Sequence, residues 1–142
     1  MKPSFLYRIA SVLLVLFAVA HTLGFRQTDP QWGVDSLVAG MRSIHFDAQG
    51  FNRTYWDFFT AFGLFVSVFL LFAAVLAWQL GGLPAEMLRR LRGPAWAMVL
   101  CFVAVTIVTW RYVFIAPLVF SVVITLVLAA AAYASGKQVE VN

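Results

Sequence analysis

Four long runs with almost no charge constrain this chain more than any other feature. They cover residues 5–23, 56–80, about 96–112 and about 117–133. At a rise of about 1.5 Å per residue, runs of this length reach roughly 26 to 38 Å, which is enough to cross a hydrocarbon core of about 30 Å. An unpaired backbone amide is costly in lipid, and the runs lack the alternation of a membrane β-barrel. The sequence therefore predicts an all-α fold, a four-helix transmembrane bundle.

The composition agrees with a membrane location. The chain is 63% hydrophobic and 11% charged, with a mean hydropathy of +0.89. A soluble domain carries about a quarter of its residues as charges, so a soluble fold of this size cannot hide so much apolar surface. We predict a single integral membrane domain over residues 1–142.

The first apolar run has a second interpretation. Lys2 and Arg8 precede a stretch that ends in Ala18-Val19-Ala20, which resembles a signal-peptidase site. Cleavage there leaves three spans. Helix-compatible sequence continues beyond Ala20, so we expect an uncleaved first helix.

The Lys and Arg residues predict the orientation, because the insertion machinery tends to retain basic loops on the cytoplasmic side. With four spans, the side that carries both termini holds Lys2, Arg8, Arg89, Arg90, Arg92 and Lys137, and the other side holds Arg26, Arg42, Arg53 and Arg111. We therefore expect both termini in the cytoplasm. Orientation and contact with anionic lipid headgroups explain the net charge of +4 better than nucleic acid does. The expected partners are membrane lipids and, as a further option, other membrane protein subunits.

A short amphipathic helix is predicted in the long extracytoplasmic loop between the first two spans. Apolar residues recur there three and four positions apart at Val34, Leu37, Val38, Met41 and Ile44. Asp29-Pro30, a few residues earlier, is a turn or helix-start signal. The helix fits either a position on the membrane surface or a lid over the mouth of the bundle, and both remain open.

Polar and aromatic residues collect at the extracytoplasmic ends of the spans, and they form a candidate ligand-binding site. Its predicted members are His21, Trp56, Asp57, Trp110, Arg111 and Tyr112. Ionisable groups at membrane depth are costly, which makes them functional candidates.

Each member also has a structural interpretation. His21 near a helix C-terminus can interact with free carbonyls, and Asp57 follows Thr54 at the spacing of a capping box; these roles are favoured. Arg111 fits equally a lipid phosphate and an ion pair with Asp57. The aromatic side chains fit an interfacial belt.

No metal site is predicted, and the sequence leaves any cofactor unknown. His21, His45 and Asp57 are suitable ligand types for zinc or iron, but no close spacing such as H-x-x-x-H joins them. The single cysteine, Cys101, allows no internal disulfide, and C-x-x-C-H, P-loop, G-x-S-x-G and G-x-G-x-x-G sequences are absent.

Gly63 and Ser67 in the second run form a small-xxx-small pair. Small residues at this spacing let two helices approach closely. We expect the pair to serve packing within the bundle rather than a dimer interface.

Two motifs resemble a known family. They are His21-Thr22-Leu23-Gly24, and Arg53-x-Tyr55-x-Asp57-Phe58-Phe59-x-x-Phe62-Gly63-Leu64. The chain resembles a family of uncharacterised small bacterial membrane proteins with four helices, mainly in its first half. The resemblance implies the fold and a bacterial inner membrane location, and it brings no activity. The long loop with Trp32 and His45 is a feature particular to this chain.

Two functions from different classes fit the sequence. The favoured one is a non-catalytic membrane protein, either an accessory or assembly subunit or a binder of a lipid-like molecule at the extracytoplasmic mouth of the bundle. The alternative is a small membrane enzyme or redox/quinone-handling protein, with His21 and Asp57 as acid and base and Arg111 on an anionic headgroup. A transporter is disfavoured, since no charge lies near mid-membrane and inverted repeats are not evident.

Overall fold

The structure is a computed structural model that describes residues 2–137, and these residues form six α-helices and one β-hairpin. The elements are α1 (Pro3–Gly24), α2 (Asp35–Ser43), β1 (His45–Ala48), β2 (Phe51–Thr54), α3 (Tyr55–Leu80), α4 (Ala85–Arg90), α5 (Arg92–Tyr112) and α6 (Ile115–Lys137), with a 3₁₀ turn at Pro30–Trp32. By length and composition, α1, α3, α5 and α6 are able to cross a membrane. Each of the four predicted apolar runs lies inside one of these helices, so the prediction of a mainly α-helical chain is confirmed.

The hairpin was not predicted. Its strands pair antiparallel, with His45 opposite Thr54 at the open end. Gln49 and Gly50 form the turn, and both have positive φ angles, of 56° and 88°. Two-residue turns of this kind match the twist of the flanking strands, and Asp47 supports this one by accepting a hydrogen bond of 2.8 Å from the Gly50 amide. Gln-Gly is a weaker hairpin signal than Asn-Gly or Asp-Gly, which is why the sequence did not reveal it.

A short helix, α2, lies where the amphipathic helix was predicted in the long loop, and its extracytoplasmic position stays a prediction. The Asp29-Pro30 signal, however, starts the separate 3₁₀ turn, where Asp29 accepts a hydrogen bond of 2.8 Å from the Gln31 amide. Gly33, with a φ of 63°, ends that turn. Of the apolar positions of α2 and its C-cap, Leu37 and Ile44 are exposed.

The chain divides into two compact units. Unit 1 comprises the described residues of 1–17 and 70–142, and unit 2 comprises residues 18–69. Unit 1 contains a buried apolar core whose largest fully buried side chains include Tyr7, Leu14, Leu70, Phe102, Ile124 and Leu128.

Within unit 1, α5 and α6 pack against each other as an antiparallel pair. Only residues 113–114 separate them, and so short a connection makes two helices antiparallel neighbours. The hydroxyl oxygens of Thr106 and Thr125 lie 3.1 Å apart across the pair, and each hydroxyl also donates to a carbonyl of its own helix.

Unit 1 also contains the contact between the N-terminal part of α1 and the C-terminal part of α3. The Ser11 hydroxyl donates a hydrogen bond of 2.8 Å to the Ala74 carbonyl. Gly81 lies so close to the Ser4 carbonyl that an added Cβ would stand 2.9 Å from that oxygen. Small side chains let the two backbones approach, and they include the buried Ala10, Ala73 and Ala77.

Candidate functional site

Unit 2 contains a small hydrogen-bond network centred on Ser67 of α3. The Thr22 hydroxyl lies 2.8 Å from Ser67 Oγ and 2.7 Å from the Ala18 carbonyl. The Nδ1 atom of His21 lies 3.1 Å from the same Ser67 oxygen, which is also 3.3 Å from the Gly63 carbonyl. Ser67 is buried, and its hydroxyl is the shared partner of His21 and Thr22. The network joins the last turns of α1 to the middle of α3.

Phe25 packs directly on Gly63, and this contact requires a glycine. A Cβ added at Gly63 would collide with the Phe25 ring. Phe25 also contacts two other rings. It stacks on His21 with the ring centroids 5.2 Å apart, and its centroid lies 5.9 Å from that of Phe59. Phe59 in turn lies 5.4 Å from Trp56. A continuous series of rings therefore runs from His21 to Trp56.

The aromatic series continues onto the segment that precedes α3. The Arg42 guanidinium of α2 lies 4.1 Å from the centroid of the Trp56 ring, a cation–π distance. Phe46 of β1 packs against Tyr55 at 5.1 Å and Phe58 at 5.9 Å. These contacts hold α2 and the hairpin against the first turns of α3.

Asp57 caps the N-terminus of α3, as the capping-box interpretation predicted. The Thr54 amide donates to Asp57 Oδ2 at 2.8 Å, and the Asp57 amide donates to Thr54 Oγ1 at 3.2 Å. The Thr54 hydroxyl also donates to Asp57 Oδ2 at 3.0 Å. This reciprocal arrangement satisfies amide groups that a helix start leaves without partners. A ligand-binding role for Asp57 stays a prediction.

The six residues predicted to form a ligand site divide between the two units. His21, Trp56 and Asp57 lie in unit 2, where rings link His21 to Trp56, and where His21 bonds Ser67 instead of a carbonyl of its own helix. The other three form the end of α5 in unit 1. Trp110 and Tyr112 are 71% and 77% exposed, and the Arg111 guanidinium lies 5.4 Å from the Tyr112 ring.

The exposed surface of α3 has two apolar faces of different chemistry. One face is entirely aromatic, with residues three and four positions apart: Tyr55, Phe58, Phe62, Phe65, Phe69 and Phe72. We call this set the aromatic stripe. The other face is aliphatic and consists of Leu64, Val68, Leu71 and Val75. Five stripe residues are 40–65% exposed, and the aliphatic residues are 41–64% exposed. The third face, with Gly63 and Ser67, packs within unit 2 against the last turns of α1.

Three contributors to this region were not predicted from the sequence, namely Phe25, Arg42 and the aromatic stripe. The spacing of the stripe is visible in the sequence. Its exposure is not, because exposure depends on which face of α3 packs inward. Phe25 and Arg42 have no local signal, because their partners lie far away in the chain. Gly63 and Ser67 both face residues at the end of α1 within unit 2, as an internal packing role predicts, although Gly63 contacts the Phe25 ring rather than a helix backbone. Within residues 2–137, no group of three or more His, Cys, Asp or Glu side chains is placed to hold a metal ion.

Comparison with protein families, with curated proteins and with solved structures finds no match to this chain. Its own features define a class. Four helices long and apolar enough to cross a membrane point to a multi-pass membrane protein.

Proposed function

We propose that this chain is a non-catalytic multi-pass membrane protein that acts as an accessory or assembly subunit. In this proposal the aromatic stripe of α3 binds a transmembrane helix of a partner protein. The observation that carries the proposal is the stripe itself, in which five of the six rings are exposed in one line along a helix that already uses another face for packing.

The spacing of the stripe favours a helix as the partner. Residues that alternate three and four positions apart stay in register with a second helix in left-handed packing. From Tyr55 to Phe72 the stripe extends over roughly 26 Å at about 1.5 Å per residue, which is most of the thickness of a hydrocarbon core.

The chemistry of the stripe also favours a protein partner over lipid alone. Lipid tails are as apolar as leucine side chains, so contact with lipid does not by itself select rings over aliphatic groups. The neighbouring face of α3 is similarly exposed and is aliphatic. Aromatic side chains bury large areas and gain from edge-to-face contact with other rings, which suits a protein interface.

The non-catalytic part of the proposal is supported by the contacts of the ionisable groups in unit 2. Asp57 accepts hydrogen bonds from the backbone and side chain of Thr54, and His21 is bonded through Nδ1 to Ser67. Both groups thus have structural roles at the ends of the helices that hold them.

A second candidate function is the binding of a lipid-like molecule with a planar ring, such as a quinone, beside His21. The stacked rings of His21 and Phe25 and the adjoining Phe59 favour it, because a planar ligand can extend such a stack. His21, Phe25 and Phe59 all lie in unit 2, and none of them belongs to the stripe.

Native mass spectrometry of the protein, released gently from its own membrane, tests both candidates. The stripe variant Phe62→Ala/Phe65→Ala is compared with the control Leu64→Ala/Leu71→Ala, which removes aliphatic side chains from the neighbouring face. We expect a stoichiometric partner on the wild type and on the control, and at least a ten-fold loss on the stripe variant. Equal retention by the two variants would contradict the proposal. A bound small molecule without a protein partner, lost in His21→Gln, would support the second candidate.

A further inference from the structure

Unit 1 is strongly basic, and its positive charges collect at one end. Its described residues include seven Lys and Arg but a single carboxylate side chain, Glu86. Six of the basic residues lie near the N-termini of α1 and α5 or the C-termini of α3 and α6. They are Lys2, Arg8, Arg89, Arg90, Arg92 and Lys137. The seventh, Arg111, lies at the opposite end of α5. We call the set of six the basic end.

Contacts within unit 1 connect Arg8, α4 and Arg92 to the helix ends that carry the basic end. Arg8 packs on Gly81 and Gly82, where α3 ends. The chain then forms α4, whose buried Leu88 anchors it and which packs against α6. Arg92 begins α5 immediately afterwards and packs on Gly136 at the end of α6.

The Arg8 guanidinium is held in a defined position. Its central carbon lies 3.6 Å from the centroid of the Trp78 ring. Its Nε atom would be 3.0 Å from a Cβ placed on Gly81, and one terminal nitrogen would be 3.4 Å from a Cβ placed on Gly82. A guanidinium stacked on an aromatic ring keeps its N–H groups in its own plane, where they can still donate hydrogen bonds.

Arg92 occupies an equivalent position in the other antiparallel helix pair. Three of its guanidinium atoms would lie 3.1–3.3 Å from a Cβ placed on Gly136. In each pair, an arginine from the first helix thus lies on a glycine near the end of the second. A positive charge there also interacts favourably with the negative end of the helix dipole.

Neither arginine is neutralised by a carboxylate within residues 2–137. The one ion pair in that part of unit 1 joins Arg90 to Glu86 at 2.9 Å. Among the described residues, two positioned guanidinium groups therefore have no carboxylate partner and lie at the ends of apolar helices, which is headgroup depth for helices that cross a membrane.

We propose that the basic end binds the phosphate groups of anionic phospholipids, with Arg8 and Arg92 as the positioned ligands. Guanidinium groups bind phosphate through two parallel hydrogen bonds, which a lysine cannot reproduce. Packing on glycine restricts the arginine side chains before the lipid arrives, so less conformational entropy is lost on binding.

Two glycine substitutions test whether the position of the guanidinium group, and not only its charge, contributes to lipid binding. Gly136→Ala adds a methyl group where the Arg92 guanidinium lies, while Gly93→Ala adds one at a nearby helical position with nothing within 4 Å. The probe is phosphatidylglycerol, titrated into the full-length protein in non-ionic detergent and counted by native mass spectrometry, with phosphatidylcholine as the zwitterionic reference. We expect tighter binding of phosphatidylglycerol, about five-fold weaker binding in Gly136→Ala, and no change in Gly93→Ala.

Charge substitutions test the same binding site in a second way. Arg8→Gln and Arg92→Gln are each expected to weaken phosphatidylglycerol binding about five-fold. Arg111→Gln, which removes the same charge from the other end of α5, is expected to have no effect. Only variants whose thermal unfolding midpoint matches that of the wild type are compared. Equal binding of the two lipids, or an equal loss in Arg111→Gln and Arg92→Gln, overturns the proposal.

A soluble phosphate tests the source of the ligand. Glycerol 3-phosphate, added at the concentration of phosphatidylglycerol that half-saturates the protein, is expected to displace little lipid, because it lacks the acyl chains that contact the apolar helices. Displacement of half or more of the lipid would overturn a lipid assignment in favour of a soluble phosphate ligand.

Discussion

The two units of this chain are built by different means. Unit 1 has a core of large apolar side chains, and its charges are almost all positive and lie at helix ends. Unit 2 contains all four aspartates of the chain, and its contacts are mainly between aromatic rings, together with a capping box and the Ser67 network. Several of its rings remain exposed along α3.

This difference is the basis of the two proposals. A core of buried side chains stabilises unit 1 internally, so its surface charges are available to lipid headgroups. The rings of unit 2 are only partly used by internal contacts, so they are available to a partner. The following predictions test this contrast through matched substitutions, in order of decreasing effect.

The same substitution, phenylalanine to alanine, is expected to have very different effects in the two units. Phe102 in unit 1 is fully buried, whereas Phe62 in unit 2 is 64% exposed. Phe102→Ala should lower the free energy of unfolding by about 3 kcal/mol, because it leaves a cavity. Phe62→Ala should cost less than about 1 kcal/mol. Denaturant titration in mixed micelles measures both, and similar losses would remove the contrast between a packed unit and a unit with unused rings.

Adding one methyl group at Gly63 should destabilise unit 2, because the Phe25 ring occupies that space. Gly63→Ala is expected to cost about 2 kcal/mol, the usual range for overpacking. Gly24→Ala serves as the control, since a Cβ there meets nothing within 4 Å. An unchanged unfolding midpoint in Gly63→Ala would show that the Phe25 ring can move aside at little cost in stability.

Ser67→Ala removes a hydroxyl with two side-chain partners on α1, whereas Ser11→Ala removes a hydroxyl that makes one hydrogen bond. Ser67 serves both His21 and Thr22, whereas Ser11 donates one bond to Ala74. We expect a loss of about 1.5 kcal/mol for Ser67→Ala and about 0.6 kcal/mol for Ser11→Ala, as found for hydrogen bonds between transmembrane helices. Equal losses measured by the same titration would mean that the Ser67 network is not a central contact.

The cap of α3 should contribute a smaller effect than the Ser67 network. Thr54→Ala removes the hydroxyl that accepts from the Asp57 amide and is expected to cost about 1 kcal/mol. Thr54→Ser keeps that hydroxyl and should behave like the wild type. Amide hydrogen exchange in the first turn of α3 reports the change locally, and unchanged exchange in Thr54→Ala would show that the ring contacts alone hold the helix start.

Much of the fold was predictable because its signals are local. Length and apolarity predicted the four long helices to within a few residues, and three- and four-residue spacing predicted α2. The Thr54 and Asp57 cap was predicted from a spacing of three residues. The hairpin was missed because Gln49-Gly50 is an uncommon turn pair, and α4 was missed because six residues are too few for a clear periodic pattern.

The candidate site was predictable only in part. His21, Trp56 and Asp57 could be singled out because polar and aromatic residues are unusual beside apolar runs. Phe25 against Gly63, His21 on Ser67 and Arg42 on Trp56 join residues 14 to 46 positions apart. Such pairings depend on the rotation of each helix about its own axis, which apolar runs without a polar face do not encode.

The sequence by itself determined that this chain forms long apolar helices and, to within a few residues, where they begin and end, because backbone amides and apolar side chains impose those limits locally. Only the tertiary structure decided which face of α3 packs inward and which rings stay exposed. It also decided which arginines lie on glycines, because these features arise when separate helices come together.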